Sequence, residues 1–216
     1  MTPPVWSVHT AKDDQLGPQP GDIDLARRAV EQAHLMEGEY AEQQRSCQQQ
    51  FLDLLSSTPD ALERTSLPNH LTGSALVMRP STGEFLVLWH NKLQRWLQPG
   101  GHADGDGNLA HVAWREATEE TGIGGLAVLA PAIHLDVHDF RPREGAHHVH
   151  FDVRFLVIAP PDAEPRTNHE SSGFRWTTVE ELPDLGADPG LLALAEWGRH
   201  LLAELGHADQ FTEWLS

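Results

Sequence analysis

Cysteine occurs once in these 216 residues, at Cys47, so no intramolecular disulfide can form and a cysteine-rich zinc site is excluded. Positive charge is also scarce: 15 lysines and arginines stand against 32 aspartates and glutamates, a formal charge of −17. Such a chain has no long-range attraction to nucleic acid or to an anionic membrane, and neither is expected as a partner. Long apolar runs are missing: nowhere do about 18 apolar residues follow one another, and the start MTPPVWSVHTAKDD lacks a charged segment leading into an apolar one. These absences lead to the expectation of a soluble, cytoplasmic protein. What remains is enough for one sizeable core, since 39% of the residues are hydrophobic, and the length holds one domain plus an extension.

The most informative stretch runs from Gly100 to Ile123, GGHADGDGNLAHVAWREATEETGI. Between Asn108, a good N-cap, and Gly122, placed where a helix ends in a left-handed residue, there is neither proline nor glycine. On the predicted helix, Glu116, Glu119 and Glu120 share one face, and Arg115 precedes Glu119 by one helical turn. As helix design this is poor. The acids sit at the C-terminal end, against the macrodipole, and Glu116 with Glu120 is a like-charge pair. An exposed acidic face is one reading; a hard divalent cation, Mg²⁺ or Mn²⁺, is the compensator that makes the arrangement favourable. The preceding loop, with Gly100, Gly101, His102, Asp104, Asp106 and Gly107, allows close backbone approach to a metal or a phosphate.

Loop and helix together closely resemble the signature of the Nudix hydrolases, G-x5-E-x7-R-E-U-x-E-E-x-G-U with U aliphatic. Gly101, Arg115, Glu116, Glu119, Glu120, Gly122 and Ile123 fall on pattern positions, with small apolar Ala117 at the first U. Gly107 stands where the first glutamate belongs. The resemblance implies that Glu116, Glu119, Glu120 and the Gly101 carbonyl bind Mg²⁺, with Mn²⁺ a possible substitute. It further implies that Arg115 orients a glutamate and that Glu119, Glu120 or Glu170 takes the proton of the attacking water. Glu170 matches a loop glutamate that many members place opposite the box. The implied substrate is a small nucleoside diphosphate derivative. Asp104 and Asp106 flank Gly107, and either is expected to supply the missing carboxylate oxygen. Gly107 also leaves open a non-catalytic module that binds a nucleotide-like ligand. An isoprenoid isomerase of related fold would need a catalytic cysteine, and Cys47 lies in a polar helical stretch far from the box.

Elsewhere, residues 1–21 read as a polar, proline-rich arm or a disordered one, and Ile23 to Ser56 as two helices broken near Gly38. Thr58 to Leu62 reads as a short helical segment. Strand patterns begin after Leu71: Ser74–Met78 and Phe85–Trp89 as a hairpin, Trp96–Pro99, then Leu126–Phe140, Val149–Ile158 and Phe174–Thr178. An amphipathic helix over Leu191–Leu205 would cover the sheet. The fold class read from these patterns is α/β (α+β), a mixed β-sheet sandwiched between helices, and the resemblance, which covers about Leu71 to Leu205, implies the Nudix fold. Residues 69–216 form its domain and residues 1–68 an N-terminal arm and helical extension that could cap the domain, build a homodimer or form a lid. On the two long strands, His134, His138, His148 and His150 alternate with Asp136 and Asp152 as a polar face, as substrate contacts or as a transition-metal site. His102, Trp96 and His150 are the candidate substrate contacts, and Phe140 and Phe174 are further stacking candidates.

Overall fold

The computed structural model describes residues 5–141, 147–166 and 171–205. In chain order its elements are β1 (Ser7–His9), α1 (Ile23–Glu31), α2 (Ala41–Ser57), β2 (Asn69–Met78), β3 (Phe85–His90), β4 (Arg95–Leu97), β5 (Gly100–His102), α3 (Leu109–Thr121), β6 (Ala127–Phe140), β7 (His148–Ile158), β8 (Ser171–Thr177) and α4 (Pro189–Leu205). The sheet runs β1-β6-β7-β2-β3-β4, with β5 added to β2 and β8 to β3. β2 and β7 are parallel from Asn69↔Val149 to Met78↔Ile158, and the other pairings among the described residues are antiparallel. The expected hairpin closes at a single pair, Met78↔Phe85, after which β3 turns away toward β4 and β8 and leaves the edge of β2 free to receive β5.

Alternation along β2 and β7 assigns the faces. Leu71, Ala75, Val77, Phe151, Val153, Phe155 and Val157 point into a cluster covered by α1, α2 and α3, and Phe51 of α2 meets Phe151 edge-on at 5.1 Å between centroids. On the other face Leu76, Met78, Leu156 and Ile158 lie under Leu191, Leu194, Leu201 and the rest of α4. This is the mixed sheet between helical layers expected from the strand and helix patterns.

Two local expectations are corrected. The arm is built in: β1 pairs with β6, and the segment that follows docks on the glycine loop, where Gly107 N donates to Gln19 O at 2.9 Å and Gly21 N to Gly105 O at 2.7 Å. Thr58 to Leu62 forms turns, with Ala61 N donating to Thr58 O and Glu63 N to Asp60 O across three residues, and Ala61 O then accepts from Leu71 N. The expected break near Gly38 is present and spans residues 32–40 between α1 and α2. Across the expected boundary at residue 69 the apolar packing is continuous: Ala26, Val30, Phe51 and Leu54 share a cluster with Leu71, Val112 and Val153.

Candidate active site

α3 begins and ends as its sequence requires. Asn108 Oδ1 accepts from His111 N, while its amide nitrogen donates to the carbonyls of Gln15 and Gly17 at 2.9 Å each, tying the N-terminal arm to the helix start. Gly122 closes the helix at φ 66°, a conformation that costs glycine nothing. Leu109, Val112, Ala113 and Ala117 bury the inner face. A Cβ on Gly73 of β2 would come within 2.9 Å of Val112, so helix and strand approach closely.

That approach sets the carboxylates against β5. Glu120, only 5% exposed, accepts from Gly100 N at 2.9 Å, which offsets part of the cost of a buried acid near a helix C-terminus. Glu116 lies so close to Gly101 that a Cβ there would fall 2.4–2.7 Å from its carboxylate atoms. Arg115 binds Glu116 at 2.8 Å, approaches Glu119 at 3.7 Å and donates to His102 O at 2.9 Å. Burial pushes the Glu116 carboxyl up, against the pull of Arg115, and Glu119 and Asp104 add to the rise. Glu119 extends toward solvent. A clustered oxygen donor set, a carboxylate destabilised by its neighbours and a glycine that admits it onto the backbone together fit a hard divalent cation.

Of the residues singled out from sequence, Gly101, His102, Arg115, Glu116, Glu119 and Glu120 are brought together here. Trp96 is placed elsewhere, opposite Trp89 on β3 with ring centroids 5.5 Å apart and its indole edge over Gly173 of β8. Glu170 lies outside the described residues. Asp104 and Asp106, the expected replacements for the absent glutamate, are engaged otherwise. Asp104 forms a two-armed pair with Arg64, whose hydrogen bonds hold its carboxyl below the usual range. Asp106 accepts from Gln19 N at 2.8 Å and Asn108 N at 2.9 Å and contacts His111 Nδ1 at 2.6 Å. Gly107 faces the arm: a Cβ there would lie 2.0 Å from Asp22 O. The space of a glutamate at this position is filled by backbone.

Across Gly101 from the carboxylates lies a second cluster that sequence reasoning met only in part. His150 and His148 of β7 join His102 of β5 and His70 of β2, a residue overlooked because its partner is set by parallel pairing, His70↔His150, between segments 80 positions apart. Phe140 stacks on His150 at 4.7 Å and 18°. Burial holds His102 down to about 4 and His150 to about 3, so both are neutral near pH 7. Of the remaining histidines of the alternating face, His138 packs edge-on against His150 with ring centroids 5.4 Å apart. His134 meets Gln44 at 3.2 Å, and His138 contacts Asp136 at 2.8 Å. Behind the cluster a buried network neutralises itself: Arg154 reaches Asp152 at 2.7 Å and Asp136 at 2.8 Å, while Thr72 and Ser74 donate to Asp152. A cleft of about 360 Å³ opens beside Arg115, between the glycine loop and Pro18, Pro20 and Glu63. A larger hollow of about 660 Å³ between α4 and β6 contains none of the α3 carboxylates and is set aside as the reaction site.

The site thus sits on a mixed sheet between helices, with a glycine strand laid against Glu116 and Glu120 of one helix. Residues 68–203 match the family model described as the NUDIX domain, and the chain belongs to that family. It is similar to the "Putative 8-oxo-dGTP diphosphatase 3" of two Mycobacterium tuberculosis strains, 28% identical over 116 residues, which is 52% of this chain and 50% of the relative. The chain thus spans about half the length of the curated relatives it matches. Among solved structures, a C. elegans Ap4A hydrolase binary complex aligns with a TM-score of 0.50 at 20% identity, covering 62% of this chain and 98% of that one, a likeness of fold. No helix among the described residues is long and apolar enough to cross a membrane.

Proposed function

We propose that this chain is a Mg²⁺-dependent hydrolase that cleaves a diphosphate bond in a small molecule built on a nucleoside diphosphate. The observation that carries this is the contact of Glu116 and Glu120 with the backbone of Gly100 and Gly101, where acids that disfavour their own helix converge on a carbonyl-bearing turn. Glu116, Glu119, Glu120 and the Gly101 carbonyl would hold the ion, Mg²⁺ or in its place Mn²⁺. When bound, the ion supplies charge neutralisation at the phosphates and acidifies a water molecule. Arg115, bound to Glu116 and to His102 O, fixes the acid's orientation and the loop's distance from the helix.

Water attacks phosphorus, the bridging P–O bond breaks with its electron pair leaving on the departing phosphate, and the water proton passes to a carboxylate. Glu119 reaches solvent and Glu120 is held by Gly100 N, so of the two Glu119 is better placed to accept it. Glu170 remains a further candidate by its position in the sequence. His102 and His150, beside the loop, are candidate contacts for the non-phosphate part, and Trp96 on β4 stands apart from them. The names of the similar proteins, an 8-oxo-dGTP diphosphatase and an Ap4A hydrolase, support a nucleoside polyphosphate as the substrate class. The charge of −17 supports a small soluble substrate in the cytoplasm over nucleic acid.

A second reading, a module that binds such a ligand without turning it over, is favoured by one observation: the arm fills the position of the first box glutamate. A panel of nucleoside triphosphates, dinucleotide polyphosphates and nucleoside diphosphate conjugates, incubated with Mg²⁺ and read by mass spectrometry, separates the two. Two phosphorylated products that vanish with EDTA are expected. Binding without products across the panel would overturn hydrolysis in favour of the module.

A further inference from the structure

We propose that His70, His102, His148 and His150 form a binding site for a transition-metal dication of the Zn²⁺ class, separate from the carboxylates of α3. One ring nitrogen from each residue lies within 4.8 Å of the others. The strand register makes this convergence: His70 is paired with His150 across the parallel β2–β7 ladder, His148 is two residues along the same face, and His102 on β5 stands opposite Thr72, two residues from His70.

The ring of His70 is prepared as a ligand. It is 1% exposed, and its Nδ1 lies 3.1 Å from Ser66 O, a carbonyl that only accepts, so Nδ1 carries the proton. Nε2 is then an unprotonated lone pair, and it is buried without a hydrogen-bond partner. A carbonyl fixing the distal nitrogen while the other is left bare is the arrangement that orients metal-ligating histidines. His148 Nε2 and His150 Nε2 are 3.1 Å apart. Tetrahedral coordination with bonds of about 2.0–2.1 Å separates ligand nitrogens by about 3.3–3.4 Å, so that pair needs little movement to share an ion.

The donor set decides the class of ion. Imidazole nitrogens suit Zn²⁺, Co²⁺, Ni²⁺ and Cu²⁺, whereas Mg²⁺ takes oxygen. The nearest buried carboxylate, Asp152, is occupied by Arg154, Ser74 and Thr72. A bound phosphate would require protonated rings, which this burial disfavours. Four protein ligands complete a tetrahedron, so the ion ties β2, β5 and β7 together and does no chemistry of its own. Because His102 adjoins Gly101, it also fixes the turn on which Glu116 rests.

The full chain, free of any affinity tag and stripped with chelator, is loaded with Zn²⁺ alone, gel-filtered and assayed for metal; Co²⁺ in its place is followed by visible absorption. One equivalent of Zn²⁺ per chain and intense, tetrahedral Co²⁺ bands are expected. His70→Gln and the double variant His148→Gln/His150→Gln should bind at least about 100-fold more weakly, since loss of even an outer-shell partner costs 10–100-fold. If His70→Gln fails to fold, the double variant, whose side chains are less buried, decides the matter. Glu120→Gln should retain the Zn²⁺. The proposal is overturned if the wild type retains less than about a tenth of an equivalent at its wash, if the folded histidine variants retain as much as the wild type, or if Glu120→Gln releases the ion. That last result would place it on the carboxylates.

Discussion

Two clusters of potential ligands flank Gly101, and they are made in opposite ways. On one side Glu116, Glu119 and Glu120 come from two turns of a single helix, with Arg115 against the first two and the Gly100 N–H against the third. On the other, His70, His102, His148 and His150 come from three strands, His70 buried and the others partly so, and burial lowers the pKa of His70, His102 and His150. The first is a local design that disfavours its own helix, and on the proposed function a cation would compensate for it. The second depends on the register of three strands, and its donors are imidazole nitrogens. The difference places oxygen donors and imidazole donors on either side of one loop, within a few residues of each other.

Both clusters rest on the N-terminal segment, and the largest effect should follow its removal. Residues 1–67 contribute Phe51, Leu54, Ala61 and Leu62 to the buried cluster, so their deletion would bare the face of Leu71, Val153 and Phe155. The expected product is an aggregating fragment; a monodisperse fragment beginning at Pro68 with a cooperative melt would show two separable domains. Restoring the box consensus should also harm the protein. Gly107→Glu puts a Cβ against the Asp22 carbonyl and should destabilise by at least about 2–3 kcal/mol in urea unfolding. An unchanged midpoint would mean that the arm yields easily and that the missing glutamate was never displaced by it.

A third effect is pH-dependent and lies behind the imidazole cluster. Burial first, and then the charge of Arg154, hold His134 at about 3. Its folded value is below the ordinary 6.5, so the stability it contributes is present above about pH 6.5 and is lost as pH falls toward 3. Replacing His134 with Met should reduce the slope of unfolding free energy against pH between about 6.5 and 5 by up to about 1.4 kcal/mol per unit. Identical slopes would place the protonation elsewhere. The smallest change concerns the loop: Arg64→Ala removes an exposed pair with Asp104 and should cost about 0–1 kcal/mol. A larger loss in thermal melts would make that pair a structural clamp of the glycine turn.

The carboxylate cluster was legible because everything it needs lies within one helix and the turn before it. N-cap, spacing, salt-bridge partner and C-terminal glycine all appear in order along Asn108 to Gly122. The long strands β2, β3, β6 and β7 and the helices followed from alternation and periodicity, whereas β1 and β5, three residues each, did not. What escaped was long-range. Nothing near Gly107 in sequence shows that Asp22 fills its space, so Asp104 and Asp106 were natural substitutes until Arg64, Gln19 and His111 were seen to hold them. His70 reads as the end of a linker, and only the parallel register with β7 gives it His150 as a neighbour. Trp96 was grouped with the site because it precedes the loop, but β4 ends at Leu97 and β5 turns to a different strand.

The division between the two clusters is tested most directly by Glu120→Gln, assayed in saturating Mg²⁺ on a diphosphate compound that the wild type turns over. The amide keeps the acceptor for Gly100 N and removes one charge, so the metal-free protein should melt in EDTA at the wild-type temperature or slightly above it. The account predicts a fall in kcat of at least about 100-fold, roughly 2.7 kcal/mol of transition-state stabilisation. A folded Glu120→Gln protein turning over near the wild-type rate would contradict it and remove Glu120 from the reaction.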